Sequence, residues 1–196
     1  MRRTLTNGVM VLAAAAGLTA AAVAQEREGG PGRGRGGFNL PPLLMETEAF
    51  ADGGIVPQKY AGRGGVQPAF KFSNAPQGTV SYAIIFHDLD VGLQGSTNDV
   101  LHWIAWNIPA SANGIPEGTL PDGAVQGKNI TGQPGYMGPG APPGPRYHHY
   151  VFELYALNAT LDLPASASRD DLIKAMQGKV VAKAAYVGRY RSGDGK

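Results

Sequence analysis

The chain contains no cysteine. Disulfide staples, thiol nucleophiles, thiolate metal sites and acylation at a lipoprotein cysteine are therefore excluded. Charged residues are sparse, at 16% of the 196. The formal net charge of +2 hides an uneven distribution. Five of the 17 basic residues (Arg2, Arg3, Arg27, Arg33 and Arg35) precede residue 42, against two acids, Glu26 and Glu28, so the remainder carries a net charge of −1. A body with that balance offers no electrostatic footprint for nucleic acid. The apolar run Val9 to Ala22 is short for a membrane span of ~20 residues.

What the chain has in abundance is glycine (29) and proline (15), the residues of turns and stiff loops. Residues 1–24 read as an export signal. Arg2 and Arg3 form the charged start, the alanine-dominated run follows, and Ala22-Val23-Ala24 supplies a small-x-small cleavage site. Cleavage before Gln25 leaves a periplasmic or secreted protein with no stable membrane insertion. Residues 25–41 include EREGGPGRGRGGFN, which has too little apolar surface to offset its ordering entropy and reads as a flexible linker. Residues 42–193 form the globular part, long enough for one domain with a sizeable core.

Within it, Leu43 to Phe50 reads as a first strand, Asp52-Gly53-Gly54 as a turn and Ala61 to Gly65 as a Gly-rich loop. Pro68 to Phe72 alternates apolar and polar, as a half-buried strand does. Val80 to Phe86, Leu101 to Ile108 and Tyr150 to Leu157 are apolar enough for central strands, and residues 110–148 are mostly loop. Ser168 followed by Asp170 and Asp171 marks a helix start, with Leu172, Ile173 and Met176 at helical spacing and Gly178 as the stop. Val180 to Tyr190 reads as a short helical turn and then a strand. The fold class is mainly β with a little helix.

All four histidines, His87, His102, His148 and His149, fall between 87 and 149, at the ends of core strands and beside proline-rich loops. That placement suits a ligand site. Asp88 and Asp90 close a strand two positions apart. Such a pair shares a proton, binds a cation, holds histidines in one tautomer, or simply forms a turn. His102 is either a satisfied core histidine or a pocket residue. Alternation sends His148 and His149 to opposite faces, so only one of them points into a pocket. No HExxH, G-x-S-x-G or P-loop motif is present, which leaves no metal or cofactor signature. Two histidines and glycine-exposed backbone N–H groups suit a small anion such as a phosphate monoester. Tyr136 and the loop elements Gly138, Pro142 and Pro143 read either as a stiff connection or as a pocket wall.

Taken together, Phe50-Ala51-Asp52-Gly53-Gly54, Asp88-Leu89-Asp90, His102-Trp103, Asn107-Ile108-Pro109, Gly135-Tyr136-Met137-Gly138-Pro139, Pro142-Pro143 and His148-His149-Tyr150-Val151-Phe152 occur in an order that resembles the phosphatidylethanolamine-binding proteins, specifically the bacterial branch called Raf kinase inhibitor-like. The resemblance runs from Leu44 to Arg191. It implies an antiparallel β-sandwich with a few peripheral helices and a small pocket for phosphate, phosphoethanolamine or carboxylate. It places the family's two acids on Asp88 and Asp90, its pocket histidines on His102 and His148, its loop tyrosine on Tyr136, its loop wall on Gly138, Pro142 and Pro143, and the tyrosine after the second histidine on Tyr150. Leu89 stands where the family has a proline, so the loop after Asp88 is expected to be less rigid. The C-terminal helix of animal members has no counterpart here.

Three readings of function follow. One is an exported, non-enzymatic module that binds a small anion and has a regulatory role. Another is an inhibitor of a protein partner, a protease or kinase, acting through the pocket rim and the long loop. The third is an ester or phosphoester hydrolase using His102 or His148. Expression in an export-competent bacterial host is expected to yield a chain beginning at Gln25 by intact-mass spectrometry; a product retaining residues 1–24 refutes the export signal.

Overall fold

The computed structural model describes residues 42–193; the predicted export signal (1–24) and linker (25–41) lie outside the described residues. Its strands, in chain order, are β1 (Leu44–Glu46), β2 (Gly54–Ile55), β3 (Phe70–Ser73), β4 (Ser81–Asp88), β5 (Val100–Pro109), β6 (Gly114–Ile115), β7 (Val125–Gln126), β8 (His148–Leu157) and β9 (Val180–Tyr190), with one α-helix, α1 (Arg169–Met176), between β8 and β9. Short 3-10 turns at Gln58–Tyr60, Leu93–Gly95 and Ala110–Ala112 complete the set.

The strands form two sheets, β1-β3-β6 and β2-β9-β8-β4-β5-β7. All pairings are antiparallel except β2 with β9. Strand β4 lies at the centre of the larger sheet and is buried on both faces. Its even residues Tyr82, Ile84 and Phe86 join Phe70, Phe72, Phe152 and Leu154 in the core shared with the small sheet. Its odd residues Ala83 and Ile85 join Trp106, Leu157, Leu172 and Met176 beneath α1. The near-continuous apolar run at 80–86 thus reflects a strand covered on both sides. Fully burying each large apolar side chain there contributes about 1.5–3 kcal/mol.

Two expectations need correction. The first strand ends at Glu46 rather than Phe50, because the Ala49 N–H donates to Thr47 Oγ1 and bends the chain. The segment 180–190 is strand throughout: despite Ala182, Ala184 and Ala185, β9 pairs with β8 along its length, and tertiary pairing overrides local helix preference. His87 does not share the face of Asp88. As an odd residue of β4 it lies on the α1 side, where Nδ1 is 2.6 Å from Asp99 Oδ2 and Nε2 is 3.6 Å from Glu153. Asp99 also pairs with Arg169, the first residue of α1.

Helix α1 starts as its sequence predicts. The Ser168 hydroxyl accepts from the Asp171 N–H, and the Asp171 carboxylate accepts from the Ser168 N–H, forming a capping box. Leu172 and Met176 are buried, while Ile173 faces solvent. Gly178 takes the left-handed conformation (φ 75°) that ends helices. Replacing Ser168 with alanine is expected to cost about 1 kcal/mol, read as a lowered urea midpoint with unchanged slope.

Candidate functional site

Antiparallel neighbours place the end of one strand beside the start of the next. The end of β4 (Asp88), the start of β5 (His102) and the start of β8 (His148) therefore meet at one end of the large sheet. The Gly62–Gly65 loop and the 137–142 loop close over that end. Between them lies a cavity of about 540 Å³, lined by Asp88, His102, Gly138, Pro142, His148 and Tyr150, and also by Gln58, Arg63, Met137, Tyr190 and Ser192.

Strict alternation along β5 would send His102 and Trp103 to opposite faces. A bulge prevents this. Trp103 opposes Phe86 and Leu101 opposes His87, leaving His102 as the extra residue. Bulges re-aim side chains in this way. His102 accordingly reaches the inner face, its ring 5.3 Å from Phe86 and 5.2 Å from Tyr150. Farther along β5, a second register shift accompanies Asn107 in the left-handed conformation (φ 55°), whose side chain exchanges hydrogen bonds with the Leu161 backbone.

Asp88 is buried, 3% exposed. One carboxylate oxygen faces His148 Nδ1 at 2.8 Å and the other accepts from the Asp90 N–H at 2.9 Å. His102 Nδ1 lies 2.9 Å from the Met137 carbonyl oxygen. Carboxylates and carbonyls only accept, so each histidine carries its proton on Nδ1 and leaves Nε2 without a protein partner among the described residues. Burial holds the His102 pKa below the ordinary 6.5, against the opposing pull of the Met137 carbonyl, Asp88 and the Gly138 carbonyl.

Tyr150 is a latch. Its hydroxyl accepts from the N–H groups of Gly140 and Ala141 at 3.2 and 2.9 Å. Burial and the nearby Asp88 carboxylate raise its pKa, so it stays a neutral phenol. Gly138 is dictated by close approach: a Cβ there would lie 2.2 Å from the Tyr60 carbonyl oxygen. The loop is also stitched by Gly62 N–H to Pro139 O, Gly138 N–H to Gly62 O and Met137 N–H to His102 O. The N–H groups of Gly62, Met137, Gly138, Gly140 and Ala141 are therefore committed within the protein.

Three of the nine predicted site residues lie off the cavity. Asp90 accepts from both the backbone N–H and Nδ1 of His149, at 2.6 and 2.9 Å. Burial pushes its pKa up, but these bonds and Arg146 outweigh it and hold the group below 3.8. Tyr136 stacks on Phe86 behind the wall and donates to the Tyr60 carbonyl. Pro143 is not among the lining residues. Leu89, in place of the family's proline, has an N–H that donates to His149 O, a tie a proline could not make. Sequence reasoning missed Arg63, which is exposed at the cavity rim and forms no ion pair among the described residues; its glycine neighbours were the signal. It also missed the Met137 carbonyl, since a backbone acceptor has no sequence signature.

A larger cavity of about 760 Å³ against β1 and β3 is lined by Glu46, Glu48 and Glu117 with Lys71. Its acidic wall does not suit an anion. No group of three or more His, Asp or Glu side chains among the described residues converges in metal-binding geometry, and no helix among them is long and apolar enough to cross a membrane.

A family description, phosphatidylethanolamine-binding protein, matches residues 46–191. The chain belongs to this family. A UPF0098 protein of Methanothermobacter thermautotrophicus is 39% identical over 157 residues, covering 77% of this chain and 100% of that relative. Among solved structures, a phosphatidylethanolamine-binding protein homologue from Chlamydia trachomatis superposes with a TM-score of 0.68 at 31% identity, covering 76% of this chain and 97% of the other. YbcL of E. coli, described as a member of the mammalian family, gives 0.70 at 25% identity, covering 77% and 99%. The family's two-sheet β fold is the one described above.

The depressed His102 pKa has a consequence for stability. The unfolded chain takes up this proton more readily than the folded one, so its contribution is complete above the ordinary value of 6.5 and is lost as pH falls through the folded value. Between about pH 7.5 and about pH 5.5 the wild-type urea midpoint is expected to drop more than that of His102→Gln; equal drops would refute the burial effect.

Proposed function

We propose that the protein is an exported module that binds a small anion, a phosphate ester or a carboxylate, at the cavity formed by His102, His148 and Asp88, and that occupancy serves a regulatory or inhibitory role. The observation that carries this is the opening of both histidine Nε2 atoms onto one cavity, each ring fixed from behind through Nδ1. An oxyanion seated at His148 Nε2 requires a proton on that nitrogen. Asp88 then stabilises the imidazolium as a buried, charge-assisted pair. Arg63 at the rim adds attraction for an incoming anion.

Binding accounts for these groups better than turnover does. Ser192, the serine beside the cavity, donates its hydroxyl to the Ala141 carbonyl rather than to a histidine. Asp88 is occupied on both oxygens and Tyr150 is a phenol committed to the loop. Among the described residues lining the cavity, the one serine is therefore not paired with a histidine as an activated nucleophile would be.

Titration of the purified protein with O-phosphoethanolamine, phosphate and acetate, followed by NMR, is expected to give saturable shifts at His102, His148 and Gly138. Replacing His148 with alanine is expected to weaken binding at least tenfold. No saturable shift with any of the three would remove the reading.

A further inference from the structure

A second cavity adjoins the loops that wall the first. It takes Gly65 and Tyr136 where the first takes Gly62 and Gly138, and the two have no lining residue in common. Its volume is about 450 Å³, and none of the described residues that line it carries a charged side chain. Two primary amides face it from different parts of the fold. Gln67 comes from the segment leading into β3 of the small sheet, and Gln126 from β7, the outermost strand of the large one.

The orientation of each amide is fixed by a partner that can only donate or only accept. The Trp103 indole N–H only donates, so the oxygen of Gln126 faces it, at 3.1 Å. The Pro68 carbonyl only accepts, so the nitrogen of Gln67 faces it. Gln126 therefore keeps its N–H donors, and Gln67 keeps its carbonyl oxygen, neither with a hydrogen-bond partner among the described residues. Gln67 is 6% exposed. The polar side-chain atoms sealed in the protein without a partner are His87 Nε2 and Trp106 Nε1, so Gln67 Oε1 is not sealed and opens on the cavity its side chain lines. A largely buried amide oxygen in that position calls for a donor from outside the protein.

The walls narrow the chemistry of such a ligand. With no charged side chain to offset lost hydration, an ion is disfavoured. Trp103 is 1% exposed and offers no ring face on which a sugar or a base could stack. One donor and one acceptor, presented from separate segments, match the trans peptide group, whose C=O and N–H point in opposite directions. We propose that this cavity is a second ligand site, for an uncharged secondary amide such as the peptide group of a neutral peptide, with Gln126 Nε2 donating to the ligand carbonyl and Gln67 Oε1 accepting from its N–H. The site is independent of the anion-binding reading above.

The test is a proton–nitrogen-15 NMR titration of the purified protein with N-acetylalanine N-methylamide, an uncharged probe built of peptide groups. The side-chain amide signals of Gln67 and Gln126 and the Trp103 indole N–H are expected to shift saturably, with a dissociation constant in the millimolar range. Gln126→Glu keeps an oxygen for the indole N–H while removing the donor to the ligand, and is expected to weaken binding at least about fivefold. Gln67→Met removes the acceptor and is expected to do the same. A cavity that holds solvent only, read as no saturable shift up to about 100 mM probe, overturns the inference. So does an affinity that Gln126→Glu leaves within about twofold of wild type. Displacement of the probe by O-phosphoethanolamine also overturns it, since the probe would then occupy the anion cavity.

Discussion

The constraint on which the structure depends is the pairing of β4 along both of its edges. It is hydrogen-bonded to β5 on one side and β8 on the other, and it is buried on both faces. A strand so enclosed has no freedom of register, because a slip of one residue would exchange the inner and outer faces. Ile84 would move under α1 and His87 would enter the sandwich core. The position of Asp88 follows from that lock. It occupies the last inward position of the strand, where the sheet ends and the loops begin. His148 is then brought to it by the same ladder that pairs Asp88 with Tyr150.

The inner and outer faces of β4 solve different problems with similar residue types. On the outer face, His87, Asp99, Glu153, Arg169 and Lys183 form a chain of paired charges. That chain ties α1 to the sheet through Arg169 and Asp99, although the buried Nε2 of His87 within it has no hydrogen-bond partner. On the inner face, Asp88, His102 and His148 are satisfied only from behind. Buried polar groups are normally paired in full, so the inner set is incomplete in the direction of the cavity.

Much of this was legible in the sequence where residue type and period agree. The apolar runs at 80–86, 101–108 and 150–157 became the three central strands, and the alternation at His148-His149 sent one ring to Asp88 and the other to Asp90. The capping box at Ser168 was visible as a motif because both partners are close in the chain. His102 was placed by family resemblance, not by period. Its orientation comes from a bulge, and a bulge is a property of two strands together. β9 was misjudged for a related reason: its alanines express helix preference locally, while its conformation is set by a partner strand some 30 positions away in register terms. Two of the backbone donors expected from the glycines are committed because Gly62 and Gly138 bond to one another's loops, a long-range pairing no local pattern reveals.

The stitching of those two loops has a thermodynamic meaning of its own. Gly62 and Gly138–Pro139 exchange backbone hydrogen bonds across the cavity rim, as neighbouring strands do, and Tyr150 secures the segment that follows. The ordering entropy of the walls is thereby met when the chain folds, not when a ligand arrives. Under the proposed function, occupancy of such a preformed cleft would follow ligand concentration with little conformational delay, and the protein would act as a rigid receptor whose surface changes chiefly in charge. Any partner that distinguishes the filled from the empty state would then do so by reading electrostatic potential at the rim rather than a change of shape.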